Sequence, residues 1–347
     1  MSDLAGRNGN RNRRATLKDV ALASGLSQST TSRALSGEGY VAEAARQRVL
    51  AAAEQLGYVP HAMARSLRKQ VSRSVGVLVS DLRNPFYADL AAGIGAQARA
   101  RGYTMMLVAD QGLEEEQLSA AQAFVGTRAA GVIVTPLSAA VPQYLLSQQI
   151  PVVEVDRHFL PQACDSVTID NETVARRITE HLLSLGHRSI GLLIDETAWT
   201  TGEARMAGYT HALEDAGLEV DRGLIIAAGS DVTAARAAVV DMLARRVRPT
   251  AMFAANNLLA EGLWRAAHAL GLRIPEDLSI VSFDDAEWMS MVEPGITAIA
   301  QDAVALGEAA MDQLLDRIAD PDAPPAGIVL EARIVPRGST AAPGGSH

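Results

Sequence analysis

The chain holds a single cysteine, Cys164, which cannot form an internal disulfide and fits a reducing compartment. No stretch approaches the roughly 18 consecutive apolar residues of a membrane span, so no membrane partner is expected. The opening segment, MSDLAGRNGNRNRRATLKD, is basic and polar, with no apolar run to act as a secretory signal, and a cytoplasmic location is expected. Catalytic signatures are missing as well: there is no G-x-S-x-G, no G-x-G-x-x-G after the first strand pattern and no P-loop lysine. The seven histidines are scattered, none at metal-ligand spacing to another. His181 and His187 flank a helix end, where a cation favours the dipole. Neither enzymatic activity, nor a cofactor, nor a metal is expected.

What is present is a large apolar content and an uneven charge. Hydrophobic residues are 48% and charged residues 20% of 347, enough for two or three domains with a sizeable core. The net charge of −9 is unevenly spread: residues 1–73 carry twelve Lys/Arg and five Asp/Glu, the remainder nineteen against thirty-five. A +7 module joined to a −16 body suggests one part that meets phosphates and one that does not.

Residues 1–15 read as a disordered basic arm. Three short helical patterns follow at about 17–24, 28–36 and 43–56, the third with Ala45, Val49, Ala52 and Leu56 on one face. Pro60 then breaks the pattern, and a basic segment, HAMARSLRKQ, leads onward. Within TLKDVALASGLSQSTTSRALSG, Val20 and Ala21 are small enough for a second helix to cross closely. Gly25 sits where a tight turn needs positive φ, Leu26 plugs the turn and Ser27 can cap the next helix. This is a helix-turn-helix, whose second helix enters the major groove N-terminus first. Gln28 and Ser29 then face base edges, Thr30 and Ser32 reach phosphates, and Arg33 carries the fork that pairs with guanine. Thr16, Leu17 and Tyr40 complete the expected DNA-contacting set.

From Ser74 onward, β-branched runs alternate with Ala- and Leu-rich helical segments such as 85–101, 171–185 and 258–270. The runs are SVGVLVSD, YTMMLVAD, GVIVTP, PVVEVD, SIGLLID, LIIAAG, PTAMFAAN and LSIVSFDD. This alternation implies parallel sheets covered on both faces, and its length implies two α/β subdomains. In open α/β sheets ligands bind at strand ends. There stand Asn84, Phe86 and Tyr87 after the first strand, Asp110 after the second, Asp156-Arg157 after the fourth, and Asn256 and Asp284 after two later ones. Arg205 precedes a helix, and Gln301 closes ITAIAQ. Paired acceptors and forked donors suit sugar hydroxyls, which both give and take hydrogen bonds.

LKDVALASGLSQSTTSRALSG followed by LGYVPHAMARSLRKQ resembles the N-terminal region of the LacI family of bacterial repressors. The likeness continues through NPFYADLAAGI, LLSLGHRSIGLL, ARMAGYTHAL, FAANN and IVSFDD, over about residues 16–338. It implies an all-α helix-turn-helix domain at 16–60, a hinge helix or linker at 61–73 and an effector-binding, dimerising body at 74–338. The body would be two Rossmann-like subdomains of the periplasmic-binding-protein type I. The first takes about 74–168 and 301–327 and the second about 169–297 and 328–338, with a disordered tail at 339–347. The resemblance also implies a homodimer on double-stranded operator DNA, with Leu67 of each hinge helix pressed into the minor groove. Without a leucine heptad after Arg337, a tail-joined tetramer is not expected.

The pocket set, Asp110 aside, is similar to that of periplasmic ribose-type sugar-binding proteins, which implies a monosaccharide or derivative as effector. Three departures stand out. Ala42 replaces the usual Ser or Thr cap of the third helix, which should fray its start. Asn256-Asn257 replaces an Asn-Asp pair. Ser230-Asp231 stands where an aromatic is usual, so a sugar-stacking face is missing unless Trp199 or Trp288 supplies it. The expected function is a repressor of sugar-catabolism genes released by a small sugar. A purine-type corepressor-dependent repressor and a sugar-binding transport protein stay open as alternatives.

Overall fold

The computed structural model describes residues 15–37, 39–58, 72–229, 231–244 and 248–344. It divides after Ser72 into two compact units. The first holds three helices: α1 (Leu17–Ser24), α2 (Gln28–Ser36) and α3 (Glu43–Gln55). A capping box starts α1: the Asp19 amide donates to Thr16 Oγ1 (3.3 Å) and the Thr16 amide to Asp19 Oδ2 (2.8 Å). Gly25 ends the helix at φ 67°, its N–H donating to the Ala21 and Leu22 carbonyls. Ser27 Oγ then accepts from the Thr30 amide at 3.1 Å and starts α2. Ala42 makes no side-chain cap to α3, and Glu43 in its first turn faces the positive end of the dipole instead.

The core of this unit is small: Val20, Ala34, Val49, Ala52 and Ala53, with Leu26 and Tyr58 packed at its margin. Leu56 departs from the expected stripe. It closes α3 and is 41% exposed, while Ala53, four residues after Val49, takes the inward position.

The second unit contains two six-stranded sheets. The first is wholly parallel, in the order β2 (Thr104–Ala109), β1 (Ser74–Val79), β3 (Val132–Val134), β4 (Val152–Val155), β5 (Asp165–Ile169) and β11 (Gly327–Leu330). The second runs β7 (Ile225–Ala227), β6 (Ile190–Ile194), β8 (Ala251–Ala254), β9 (Ser279–Phe283), β10 (Thr297–Gln301) and β12 (Ala332–Val335), the last antiparallel. The central strands are buried along their length, as sheets covered on both faces require. Helices α4 (Pro85–Ala100), α5 (Glu114–Gly126) and α6 (Ala140–Ser147) follow β1, β2 and β3. Helices α7 (Asn171–Ser184), α8 (Thr200–Asp215), α9 (Val232–Leu243) and α10 (Asn257–Ala269) serve the second sheet, with the short α11 (Trp288–Met291) after β9. Helix α12 (Ala303–Ala319) returns to pack on α4. The two touch backbone to backbone: a Cβ on Gly93 would collide with the Val304 carbonyl, and one on Gly307 with that of Leu90.

β10 stays in the second sheet through Gln301, and β11 stays in the first through Leu330. The chain therefore passes between the sheets near residues 170, 302 and 331, a few residues beyond the crossings expected at 297–301 and 327–328. Among the described residues no helix is long and apolar enough to cross a membrane.

The tail departs further from expectation, because Ser339 is fully buried. Its hydroxyl accepts from the Thr297 amide (2.8 Å) and donates to the Ile280 carbonyl (2.6 Å), and its carbonyl takes the Ile280 amide. Beyond it, Ala341 exchanges hydrogen bonds with Ser279 and approaches His187 Nε2 at 2.9 Å. The segment STAA has a loop's composition, yet its polar atoms bond to Thr297, Ile280, Ser279 and His187 in or beside the second sheet. Ser339→Ala should lower stability by about 1–3 kcal/mol, since it orphans a buried N–H and a buried carbonyl. Urea unfolding of the full chain reads this, and an unchanged midpoint would show that the tail contributes nothing.

Candidate nucleic-acid interface and effector cleft

On the first unit, Gln28, Ser29 and Arg33 lie on the exposed side of α2, and Tyr40 stands 90% exposed in the connection to α3. Leu17 and Ser32 are half-buried. The Thr16 hydroxyl donates to Asp19 Oδ2 (2.6 Å), and Thr30 Oγ1 lies 2.9 Å from Ser27 Oγ. Arg33 bends back along its helix, its Nε 3.4 Å from the Ser29 carbonyl, so a long forked cation lies over the exposed first turn. Leu67 and the segment HAMARSLRKQ lie outside the described residues.

In the second unit, the strand-end residues converge on one cleft between the sheets. Asn84 caps α4 by accepting the Phe86 amide at 3.0 Å, and its Oδ1 also accepts from Asn257 Nδ2 at 2.8 Å, across the cleft. Asn257 Nδ2 lies 3.3 Å from Asp284 Oδ2, and Gln301 Nε2 donates to Asp284 Oδ1 at 2.6 Å. On the other side the Tyr87 hydroxyl donates to Asp156 Oδ2 (3.3 Å) and accepts from Arg157 Nη2 (2.9 Å). Asp156 and Asp284 both take left-handed backbone, φ 68° and 64°, which swings each carboxylate off its strand end into the cleft. Phe86 and Tyr87 meet edge to face, centroids 5.1 Å apart.

Burial dominates the electrostatics. It pushes the Asp156 carboxyl above its ordinary range, opposed by the Arg157 and Arg205 guanidinium groups and reinforced by Asp284. Burial also raises the Tyr87 hydroxyl, leaving it a neutral hydrogen-bonding group. Arg205 lies inside α8 rather than before a helix. It donates to Asn171 Oδ1 (2.9 Å) and the Ala255 carbonyl (2.6 Å), and its Cζ lies 3.6 Å from the Phe283 ring centroid.

These residues line two adjoining chambers. The inner, of about 30 Å³, has walls from Asp156, Arg157, Arg205, Asn256, Asp284 and Gln301. The outer, of about 120 Å³, is walled by Asp81, Arg83, Gln111, Arg157, Trp199 and Asp231. Asn84, Tyr87, Arg157, Asp195 and Asn256 border both.

Asp110 is a correction. Its carboxylate is fully buried and committed, Oδ1 to the Gly112 amide (2.8 Å) and Oδ2 to Gln117 Nε2 (2.6 Å), so it braces the turn after β2 and lines neither chamber. Trp288 packs beside Trp264, centroids 6.2 Å apart, and lines neither chamber, whereas Trp199 faces the cleft. Sequence reasoning missed Asp195, which ends the strand SIGLLID as visibly as Asp156 ends its own, and whose Oδ2 accepts from Asn256 Nδ2 at 3.0 Å. It also missed the bridging role of Asn257, noticed only as a departure. Asp110→Ala should destabilise the protein by about 1–3 kcal/mol. Chemical denaturation measures that loss, and a variant as stable as the wild type would return Asp110 to the list of cleft candidates.

A capped helix-turn-helix and a two-sheet body with its polar cleft between the sheets define a DNA-binding regulator with an effector-binding domain. Residues 16–61 match the family described as bacterial regulatory proteins, lacI family, and residues 179–340 match the periplasmic binding protein-like domain. The chain belongs to the LacI family of transcriptional regulators. It is 30% identical over 328 residues to the ribose operon repressor of Escherichia coli K12, covering 94% of this chain and 99% of that protein. It is 31% identical over 333 residues to the HTH-type transcriptional repressor PurR of Proteus mirabilis, covering 94% and 97%. A crystal structure of the lac repressor dimer bound to operator and the anti-inducer ONPF matches with a TM-score of 0.84 at 27% identity, covering 95% of this chain and all of that one.

Proposed function

We propose that this chain acts in the cytoplasm as a homodimeric repressor of sugar-catabolism genes, gripping a palindromic operator until a small sugar occupies the cleft. The carrying observation is the arrangement of Asp156-Arg157 at one sheet's edge facing Asp284 and Arg205 from the other. Two carboxylates and two guanidinium forks provide both senses of hydrogen bond that vicinal hydroxyls need. A relative named for the ribose operon supports the sugar class. On DNA, Gln28, Ser29 and Arg33 read bases while the groups around the start of α1 and α2 meet phosphates.

Arg33→Ala should weaken operator binding by about 1–3 kcal/mol per half-site and relax preference at one guanine. Competition against operators permuted at each base tests this, and an unaltered preference profile would remove Arg33 from the base-reading set.

The switch is tested by titrating sugars against a preformed operator complex. Asp284→Asn keeps a residue that tolerates positive φ but replaces one charged acceptor oxygen with a donor, and Asp156→Asn does the same opposite it. Hydrogen bonds to charged groups contribute about 1.5–3 kcal/mol each, so either variant should need at least tenfold more sugar to release DNA. Release at the wild-type concentration would place the ligand elsewhere. A purine base that tightens the complex would establish the corepressor reading instead.

A further inference from the structure

The Arg157 guanidinium is 3% exposed, yet it makes one hydrogen bond, from Nη2 to the Tyr87 hydroxyl, and its Nε and Nη1 are buried without a hydrogen-bond partner. Asp156 Oδ2 lies 3.8 Å from Nε, near enough to balance charge but too far to accept. Unmade donors on a buried cation are costly, so such a group calls for two acceptors. Arg157 lies instead with its Cζ 3.6 Å from the ring centroid of Trp199, which belongs to the opposite half at the start of α8. The indole is half-buried and forms part of the outer chamber's wall.

The stack stands where the smaller inner chamber meets the outer one. Arg157 borders both chambers, so moving it joins the inner space to the 120 Å³ outside. Asp231, on the same wall, is spent on capping α9 through the Thr233 and Ala234 amides (2.8 and 3.0 Å). Of the two aromatic rings lining the outer chamber, Tyr87 is buried edge to face against Phe86, which leaves Trp199 as the more open face.

We propose that Trp199 is the specificity-determining residue of the effector site, presenting its indole to the apolar face of an uncharged pyranose that displaces Arg157 and takes its two unmade donors. The proposal rests on the sugar-effector reading above. The preference for a neutral ring follows from the charges around the indole. Asp81, Asp195 and Asp231 line the same chamber, and its second cation, Arg83, is clamped on Asp81 through contacts of 2.8–3.1 Å. The chamber's three carboxylates outnumber Arg83 and Arg157, so a sugar phosphate or uronic acid would meet net negative charge there.

The full-length chain has three tryptophans, and Trp264 and Trp288 lie beside each other outside both chambers, so a sugar-dependent change in intrinsic fluorescence that Trp199→Phe abolishes reports on Trp199. The probes are glucose, galactose, ribose, glucose 6-phosphate and hypoxanthine, with affinities from calorimetry. A neutral hexose should bind, change the wild-type emission and leave that of Trp199→Phe unchanged. Trp199→Phe should keep affinity within a few-fold, while Trp199→Ala loses about tenfold. Equal sugar affinity in wild type and Trp199→Ala, or binding with no change in wild-type emission, overturns this inference and leaves the sugar reading intact. Tighter binding of glucose 6-phosphate than glucose overturns the neutral-ring preference. Binding of no neutral sugar overturns both readings together.

Discussion

Four charged side chains stay buried around one cleft because each offsets another. Alone, a carboxylate such as Asp156 would be driven to its neutral form by desolvation. Arg157 and Arg205 oppose that shift while Asp284, facing it from the other sheet, adds to it. Removing any one member leaves an uncompensated charge, which is more damaging than replacing the whole group by apolar residues. The cluster is therefore weak as a source of stability and strong as a fixed pattern of donors and acceptors. Positive φ at both aspartates adds local strain, which the buried strands β4 and β9 behind them hold in place.

That pattern is divided between two sheets, and the covalent path limits how they can move. Three crossings, near residues 170, 302 and 331, tie the halves together, and each half has close-packed strands and helices of its own. Contacts such as Gly93 on Val304 and Gly307 on Leu90 leave no room for sliding within a half. Relative motion is left to the crossings, as in hinge closure. Gln301 lies at the end of β10, immediately before one crossing, and holds Asp284 through its amide, so the cleft chemistry is wired directly to a hinge.

The helix-turn-helix was legible because its signals are local: Gly25 and the Ser27 cap both act within four residues of their partners. Most of the body's strands and their end residues were legible from alternation and from where β-branched runs stop. What failed depends on partners that residue type and run boundaries do not reveal. A carboxylate at a strand end looks the same whether it faces a cleft, as Asp156 does, or turns back on its own loop, as Asp110 does. Ser339 sits in a segment with the composition of a loose tail, and only the Thr297 amide and Ile280 carbonyl make it a buried latch. Asn257 stood out only as a departure from an Asn-Asp pair, yet its amide bridges Asn84 and Asp284.

The bridges across the cleft also decide which ligands can act as signals. Asn257 on Asn84, the Arg157–Trp199 stack and the His158 amide 3.4 Å from Thr200 Oγ1 already join the two halves. Contacts of these kinds contribute about 0.5–1.5 kcal/mol each, together comparable with the roughly 1–3 kcal/mol typical of allosteric coupling. A molecule that only replaced them would bind without favouring either arrangement of the halves, because a population shifts only by differential affinity. Shifting it requires groups that the protein leaves unsatisfied in the bridged form. They include Arg157 Nε and Nη1 on one side and Gln301 Oε1 on the other. A ligand presenting two acceptors to the first and a donor to the second gains contacts that the bridges do not supply, and a polyhydroxylated ring carries both kinds of group on one small frame.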